Sequence, residues 1–258
     1  MNMSFFSAAV GAQQQQRRMN VQANNIANVN THGYKAEQAT FHQLMYGDIR
    51  GINEELPRGT GTQMMKATTN FASGPIQDTG RTFDFAIFGD GFFALYDPAD
   101  GEISFTRDGA FMMARFVVPP EEDAEPEIDP DTGEEIPPQP KEVWRLSDNE
   151  GRCVLDSMGN FIEIDPKDKD AELDVGVFDY NVYDGMLHLD SSRFLPVDKN
   201  GGLYLGTGEV RRGVLEMSNT DLALEFTKVI EAQRAYSYAL KMVQTSDEVE
   251  QTINGLRG

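Results

Sequence analysis

The side chains with the chemistry to hold a metal, act as a nucleophile or shuttle a proton are few and scattered. Three histidines, His32, His42 and His188, lie in different regions, and no two have the spacing of metal ligands. His32 falls in the turn expected after an N-terminal helix. The single cysteine, Cys153, excludes an intramolecular disulfide and any multi-cysteine metal site, and its strand-like surroundings suit a small buried hydrophobe. GlyAspGlyPhePhe (residues 89–93) lacks the third glycine and the strand-to-helix setting of a dinucleotide site, which leaves a β-turn. In the acidic run IleAspProAspThrGlyGluGlu, Gly133 is fifth counting from Asp129, where a calcium loop needs glycine sixth. The run from Asp198 to Gly202 fails the same test. No Ser/His/Asp or Cys/His set can be drawn from these positions. The abundant carboxylates could furnish an acid/base pair for glycan hydrolysis, so a carbohydrate-binding or hydrolysing β-domain protein is a rival reading, though no feature requires it. The expectation is a chain without catalytic residues, cofactor or metal.

Charge narrows the partners. The 258 residues carry a formal net charge of -20 and a pI near 4.4, which argues against a nucleic-acid or anionic-membrane surface, since phosphate binding needs clustered Lys and Arg. No run of about 18 apolar residues is available to span a bilayer. The apolar patch at residues 5–10 runs into GlnGlnGlnGlnArgArg without a cleavage-type site, so no cleaved secretory peptide is expected. On this evidence alone the chain stays in the cytoplasm unless an uncleaved signal exports it.

With no chemical centre to position, the elements themselves carry the information. Phe5, Ala8, Ala12, Gln15, Met19, Gln22, Ile26 and Val29 recur at alternating steps of three and four, the seam of a helix that seeks a partner helix. That helix should run from Met3 to about Val29 and stop near Asn30, where Asn28, Asn30 and Gly33 supply turn formers. Phe226, Val229, Gln233, Tyr236, Leu240 and Val243 form a second such seam near the other end. Ser218 with Asp221 resembles a capping-box start and Asn254 with Gly255 a left-handed stop, giving a rod on the order of 50 Å at 1.5 Å per residue. Gln15, Gln22 and Gln233 are polar seam positions of the kind that set register and partner. Arg234 is expected on the flank, pairing with Glu231 or another chain. Between the helices, residues 35–80 read as an extended, loop-rich connector, and residues 81–212 as an antiparallel β domain of short runs such as residues 83–88, 92–96 and 103–107. An acidic, Pro-rich insert at residues 117–141 can bury little and should be a solvated loop. The fold class is thus α+β: long helices at residues 1–34 and 213–258 form a coiled-coil-like core, with the β domain central.

AsnAsnIleAlaAsnValAsnThrHisGlyTyrLys (residues 24–35), IlePheGlyAspGlyPhePhe (87–93), PheThrArgAspGlyAlaPhe (105–111), LeuGluMetSerAsnThrAspLeu (215–222) and IleGluAlaGlnArgAlaTyr (230–236) resemble, in order and spacing, the signature segments of the flagellar rod and hook protein family. The likeness covers the chain from end to end apart from the acidic insert. Length and the segment PheHisGlnLeuMetTyr (41–46) look most like the rod members, the distal rod type in particular. Thr220, His32 and the insert depart from the pattern. The resemblance implies a structural subunit that assembles helically with itself and with related rod and hook subunits into an axial tube that transmits torque. It implies export without a cleaved peptide through the flagellar export apparatus, a place in the basal body, terminal helices that order on assembly, and surrounding ring proteins as further neighbours. A hook-type axial subunit or hook-cap-like protein is the alternative within the family. The residues expected to carry assembly are Ala12, Met19, Asn24, Asn25, Ile26, Asn28, Thr31 and Gly33 at the first end, and Asn219, Asp221, Phe226, Val229, Gln233, Arg234, Tyr236, Leu240 and Val243 at the second. Asn24, Asn25 and Asn28 admit either a helix-end role or a contact between subunits.

Overall fold

Each terminal helix forms because its apolar residues repeat at helical spacing, and each finds its first partner in the other. The structure, a computed structural model, describes residues 3–43, 47–50, 55–58, 62–118, 127–128, 135–136, 141–168, 171–189 and 192–256. The expected acidic insert lies almost wholly outside the described residues, as do the last three positions of the segment 41–46. The chain divides into two compact units, Met1–Gly74 with Ser218–Gly258, and Pro75–Met217.

In the first unit, α1 (Met3–Ala27) is followed by β1 (Glu37–Gln43), a hairpin of β2 (Gly47–Arg50) and β3 (Glu55–Arg58), and β4 (Thr62–Thr69). β1 and β4 pair antiparallel with a bulge between Thr40 and Phe41, and α1 packs on both. The guanidinium of Arg18 lies 5.9 Å from the centre of the Phe41 ring. The unit closes with α2 (Leu222–Gly255), packed along α1.

Three expectations about helix ends are corrected. α1 stops at Ala27, and Val29 lies in the turn, because the Asn28 side-chain amide donates to the main-chain and side-chain oxygens of Asn24 and diverts the chain. α2 begins at Leu222 with Asp221 as its N-cap, whose carboxylate accepts from the main-chain N–H groups of Ala223 and Leu224. Ser218 instead donates to the Thr220 hydroxyl. At the other end Gly255 stays helical and Leu256 is right-handed, so no left-handed stop forms.

In the second unit every strand pairing among the described residues is antiparallel, and one short 3-10 turn spans Asp198–Asn200. Its strands are β5 (Ile76–Asp78), β6 (Phe85–Phe88), β7 (Phe92–Tyr96), β8 (Ile103–Thr106), β9 (Met112–Val118), β10 (Glu127–Ile128), β11 (Glu135–Ile136), β12 (Lys141–Ser147), β13 (Cys153–Val154), β14 (Val177–Tyr180), β15 (Leu187–His188), β16 (Arg193–Leu195), β17 (Leu203–Leu205), β18 (Glu209–Arg212) and β19 (Val214–Glu216). The main sheet runs β15-β16-β8-β7-β13-β12-β9, with β14 joining β7 to β17, while β18 pairs with β6 and β19 with β5. The core gathers Phe85, Ile87, Phe93, Leu95, Phe111, Leu146, Val154, Ile162, Ile164, Val175 and Val177. Phe93 meets Phe111 edge to face at 5.3 Å. Gly109 is required here, since a Cβ would fall 1.7 Å from the Phe85 carbonyl oxygen. Cys153 is free and 1% exposed in β13, where burial pushes its thiol above the ordinary range.

Two of the motifs in this unit meet through a buried ion pair. Arg107 donates to the Glu216 carboxylate at 3.2 Å and to the carbonyls of Ile87 and Gly89, and its guanidinium rests 5.5 Å from the Phe92 ring centre. Both charged side chains are almost fully enclosed. The segment 89–93 supplies the link from β6 to β7 and the first two residues of β7, and the segment 198–202 is a turn held by Asn200, whose amide donates to Val182 O and accepts from Val197 N–H.

Candidate assembly site

α1 keeps its expected seam: Phe5, Ala8, Ala12, Gln15, Met19, Gln22 and Ile26 are all buried or half-buried. On α2 the inward face includes the expected Val229, Tyr236 and Val243 but takes Glu225, Ala232 and Ala239 in place of Phe226, Gln233 and Leu240. The positions enclosed against α1 are Glu225, Val229, Ala232, Tyr236, Ala239, Val243, Ser246 and Glu250, still in alternating steps of four and three. Phe226 at 51% exposure, Leu240 at 39% and Gln233 lie outside this seam. Small residues explain the difference, because Ala232, fully buried, lets the two helix backbones approach where a larger side chain would hold them apart. An apolar-only reading of the pattern favours Phe226 and Leu240 and overlooks alanine. Tyr236, Leu240 and Val243 face Ala9, Ala12 and Gln16 of α1 across an open groove. Glu231 pairs with Arg18 of α1 at 3.6 Å, and exposed Arg234 makes no ion pair among the described residues.

Where α1 ends and α2 begins, a buried polar junction ties three segments together. Asn25 is wholly enclosed. Its amide donates to Glu37 O at 2.8 Å and to the Glu225 carboxylate at 3.3 Å. Its side-chain oxygen accepts the Tyr34 hydroxyl at 3.0 Å and the Glu37 N–H at 2.9 Å. Lys228 completes the junction by donating to Glu225 at 2.6 Å. Burial, reinforced by the carboxylates of Glu37 and Glu225, holds the Tyr34 phenol well above its usual pKa. Asn219 forms the second clasp: its side-chain oxygen accepts from Ala36 N–H at 2.7 Å, and its amide donates to Asn70 O and Ala72 O.

The remaining expected residues sit around this junction. Asn24 is exposed and linked to Asn28; Thr31 donates to Asn28 at 3.2 Å; Ile26 is half-buried. Gly33 adopts a φ of 66°, a left-handed turn that suits glycine. Within one chain, then, Asn25, Gly33, Asn219 and Asp221 shape the joint, whereas Asn24, Phe226, Gln233 and Arg234 face outward. Glu225, Lys228, Tyr34 and Ala232 were missed. Glu225 and Lys228 look like ordinary surface charges on a helix, and only the partner segment, about two hundred residues away, gives them their role. His32 is half-buried beside the joint and His188 packs edge to face on Phe194.

Charge is divided unevenly between the two units. Pro75–Met217 contains 32 of the 42 acidic and 12 of the 22 basic residues, a difference of -20. The helix-bearing unit contains the remaining ten of each and is neutral.

Comparison with known proteins bears on both ends of the chain. Residues 7–35 match the family described as "Flagella basal body rod protein", and residues 211–256 match "Flagellar basal body rod FlgEFG protein C-terminal". The first match takes in α1 from Ser7 onward and the turn after it, the second β19 and the whole of α2. The chain is 30% identical to the flagellar basal-body rod protein FlgG of Buchnera aphidicola subsp. Schizaphis graminum, over 98% of this chain and 99% of that one. It is 30% identical to FlgG of Bacillus subtilis, over 98% of each. It is 29% identical to the rod protein FlgF of Caulobacter vibrioides, over 92% and 90%.

Proposed function

The chain belongs to the flagellar basal-body rod protein family, a structural and non-enzymatic component of the motility apparatus, and from that premise we propose that it packs helically with copies of itself and with related rod and hook subunits through its helix-bearing unit. The observation that carries this reading is α2. A helix that buries one seam in its own chain should be polar elsewhere, yet α2 exposes apolar side chains on both flanks of that seam. Phe226, Ile230 and Leu240 lie on one side, and Leu224, Met242 and Val249 on the other. Such an apolar surface marks an interaction site, and two flanks call for two neighbours. A heterologous contact of this kind builds an open helical array. The charge division suits the same end, because copies that meet through a neutral unit avoid the repulsion that the acidic unit would bring.

Within this reading Asn24, Gln233 and Arg234, outward-facing and polar, are contacts between subunits, while Asn25, Asn219 and Asp221 position the two helices. Export proceeds without a cleaved peptide through the flagellar apparatus, and ring proteins are further neighbours. Deleting residues 247–258 removes the lower part of the second flank. Cells carrying that deletion are expected to lack complete basal bodies, and intact rods with normal motility would defeat the proposal.

A further inference from the structure

In the second unit an unexplained cleft opens between the β14–β17 ladder and the β6–β18 pair. Its volume, about 620 Å³, lies within the range of about 300–1,000 Å³ typical of sites that enclose a ligand. Phe85, Val175 and Val177, all core residues, form its floor. Leu205 stands at its wall with 57% of its surface exposed. This is apolar surface reachable from solvent, on a unit whose surface is otherwise strongly charged.

The rim is anionic. Glu172 and Asp174 are both exposed at the mouth. Asp174 accepts the Ser157 hydroxyl at 2.8 Å, and Glu172 forms no ion pair among the described residues. Arg212 also lines the cleft, and its guanidinium donates to the carbonyls of Thr82 and Ala171 at 2.6 and 3.1 Å. Among the described lining residues the two carboxylates thus stand against one guanidinium, and the rim keeps a net negative charge.

We propose that this cleft is a docking site for a basic, extended peptide segment of another protein, which inserts an apolar side chain over Val175 and Val177 while a neighbouring Lys or Arg meets Glu172 and Asp174. An anionic ligand is opposed by the rim and by the -20 charge of the unit. A second copy of the same acidic unit is opposed for the same reason. Alternation along an extended chain places successive side chains on opposite faces, so a peptide of alternating lysine and valine can present valine to the floor and lysine to the rim. The inference stands apart from rod assembly, since it concerns the other unit.

The test uses the full chain and three labelled hexapeptides, alternating Lys-Val, alternating Glu-Val, and hexalysine, with binding read by fluorescence polarisation. Lys-Val is expected to bind saturably, about tenfold or more weaker to the E172Q/D174N double variant, and weaker to L205S. Hexalysine is expected to lose affinity for E172Q/D174N but not for L205S, and Glu-Val not to bind. An E142Q/E163Q control, which removes two exposed acids away from the cleft, should leave Lys-Val binding unchanged. All three substitution sets fall on exposed side chains, and each variant is checked by circular dichroism before use. Absence of saturable binding, equal loss in the control, or insensitivity to both L205S and E172Q/D174N would overturn the proposal.

Discussion

Replacing Asn25 with alanine is the sharpest probe of how the two helices are held. The change removes two donors and one acceptor from a fully buried site, so that the Tyr34 hydroxyl, the Glu37 N–H and C=O, and one oxygen of Glu225 each lose a partner. A buried polar group left unpaired costs about 1–3 kcal/mol, more if charged. Glu37 is only half-buried and Glu225 keeps Lys228, so the sum is nearer the lower bounds, about 3–5 kcal/mol. Coupling within one network makes a plain sum unreliable beyond that. Against a total stability of about 5–15 kcal/mol, this is a large share. Urea unfolding followed by far-UV circular dichroism reads it directly, because among the described residues both long helices belong to this unit. With a slope of about 1–3 kcal/mol per molar urea, the midpoint should fall by roughly 1–5 M. A shift below about 0.3 M would refute the claim that this junction joins the helices. Asn25→Asp is a stringent companion: it sets a second carboxylate beside Glu225, so it should be destabilised at neutral pH and regain stability on acidification, as the buried acid takes up its proton.

Two further outcomes follow. Arg107→Ala leaves the enclosed Glu216 carboxylate without its cation, which should cost about 3–5 kcal/mol, read as a lower thermal midpoint by near-UV circular dichroism; an unchanged midpoint would contradict the assigned pair. The Tyr34 phenol is raised above its ordinary value of 10.0, so its folded form keeps the proton while the unfolded chain releases it. Its contribution is fully present below about pH 10 and is lost as pH rises further. Helix stability should decline above that point, and Tyr34→Phe should show a shallower decline between pH 10 and 12.

Much of the fold was legible because it rests on local pattern. The steps of three and four over residues 5–26 located α1 and its seam, and the runs at 83–88, 92–96 and 103–107 located β6, β7 and β8 to within about two residues. The inward face of α2 was not fully legible, since hydrophobicity points to Phe226 and Leu240 while close helix approach selects Ala232 and Ala239. The junction was half legible. Asn25 and Asn219 stand out as unusual residues at helix ends, but Glu225 and Lys228 gain meaning only from segments remote in sequence. The Arg107–Glu216 pair lay inside two recognised motifs, yet nothing local to either showed that they meet.

The central claim is that α2's apolar flanks are covered by neighbouring subunits, and it is tested most directly by changing one flank alone. A variant with Phe226 and Ile230 both changed to serine alters side chains that are 51% and 50% exposed in the single chain. Basal bodies isolated from cells expressing this variant are scored for its incorporation into the rod, beside helix content of the purified chain. The variant is expected to keep its helices and to be absent from the rod. Incorporation at the level of the unaltered chain would contradict it.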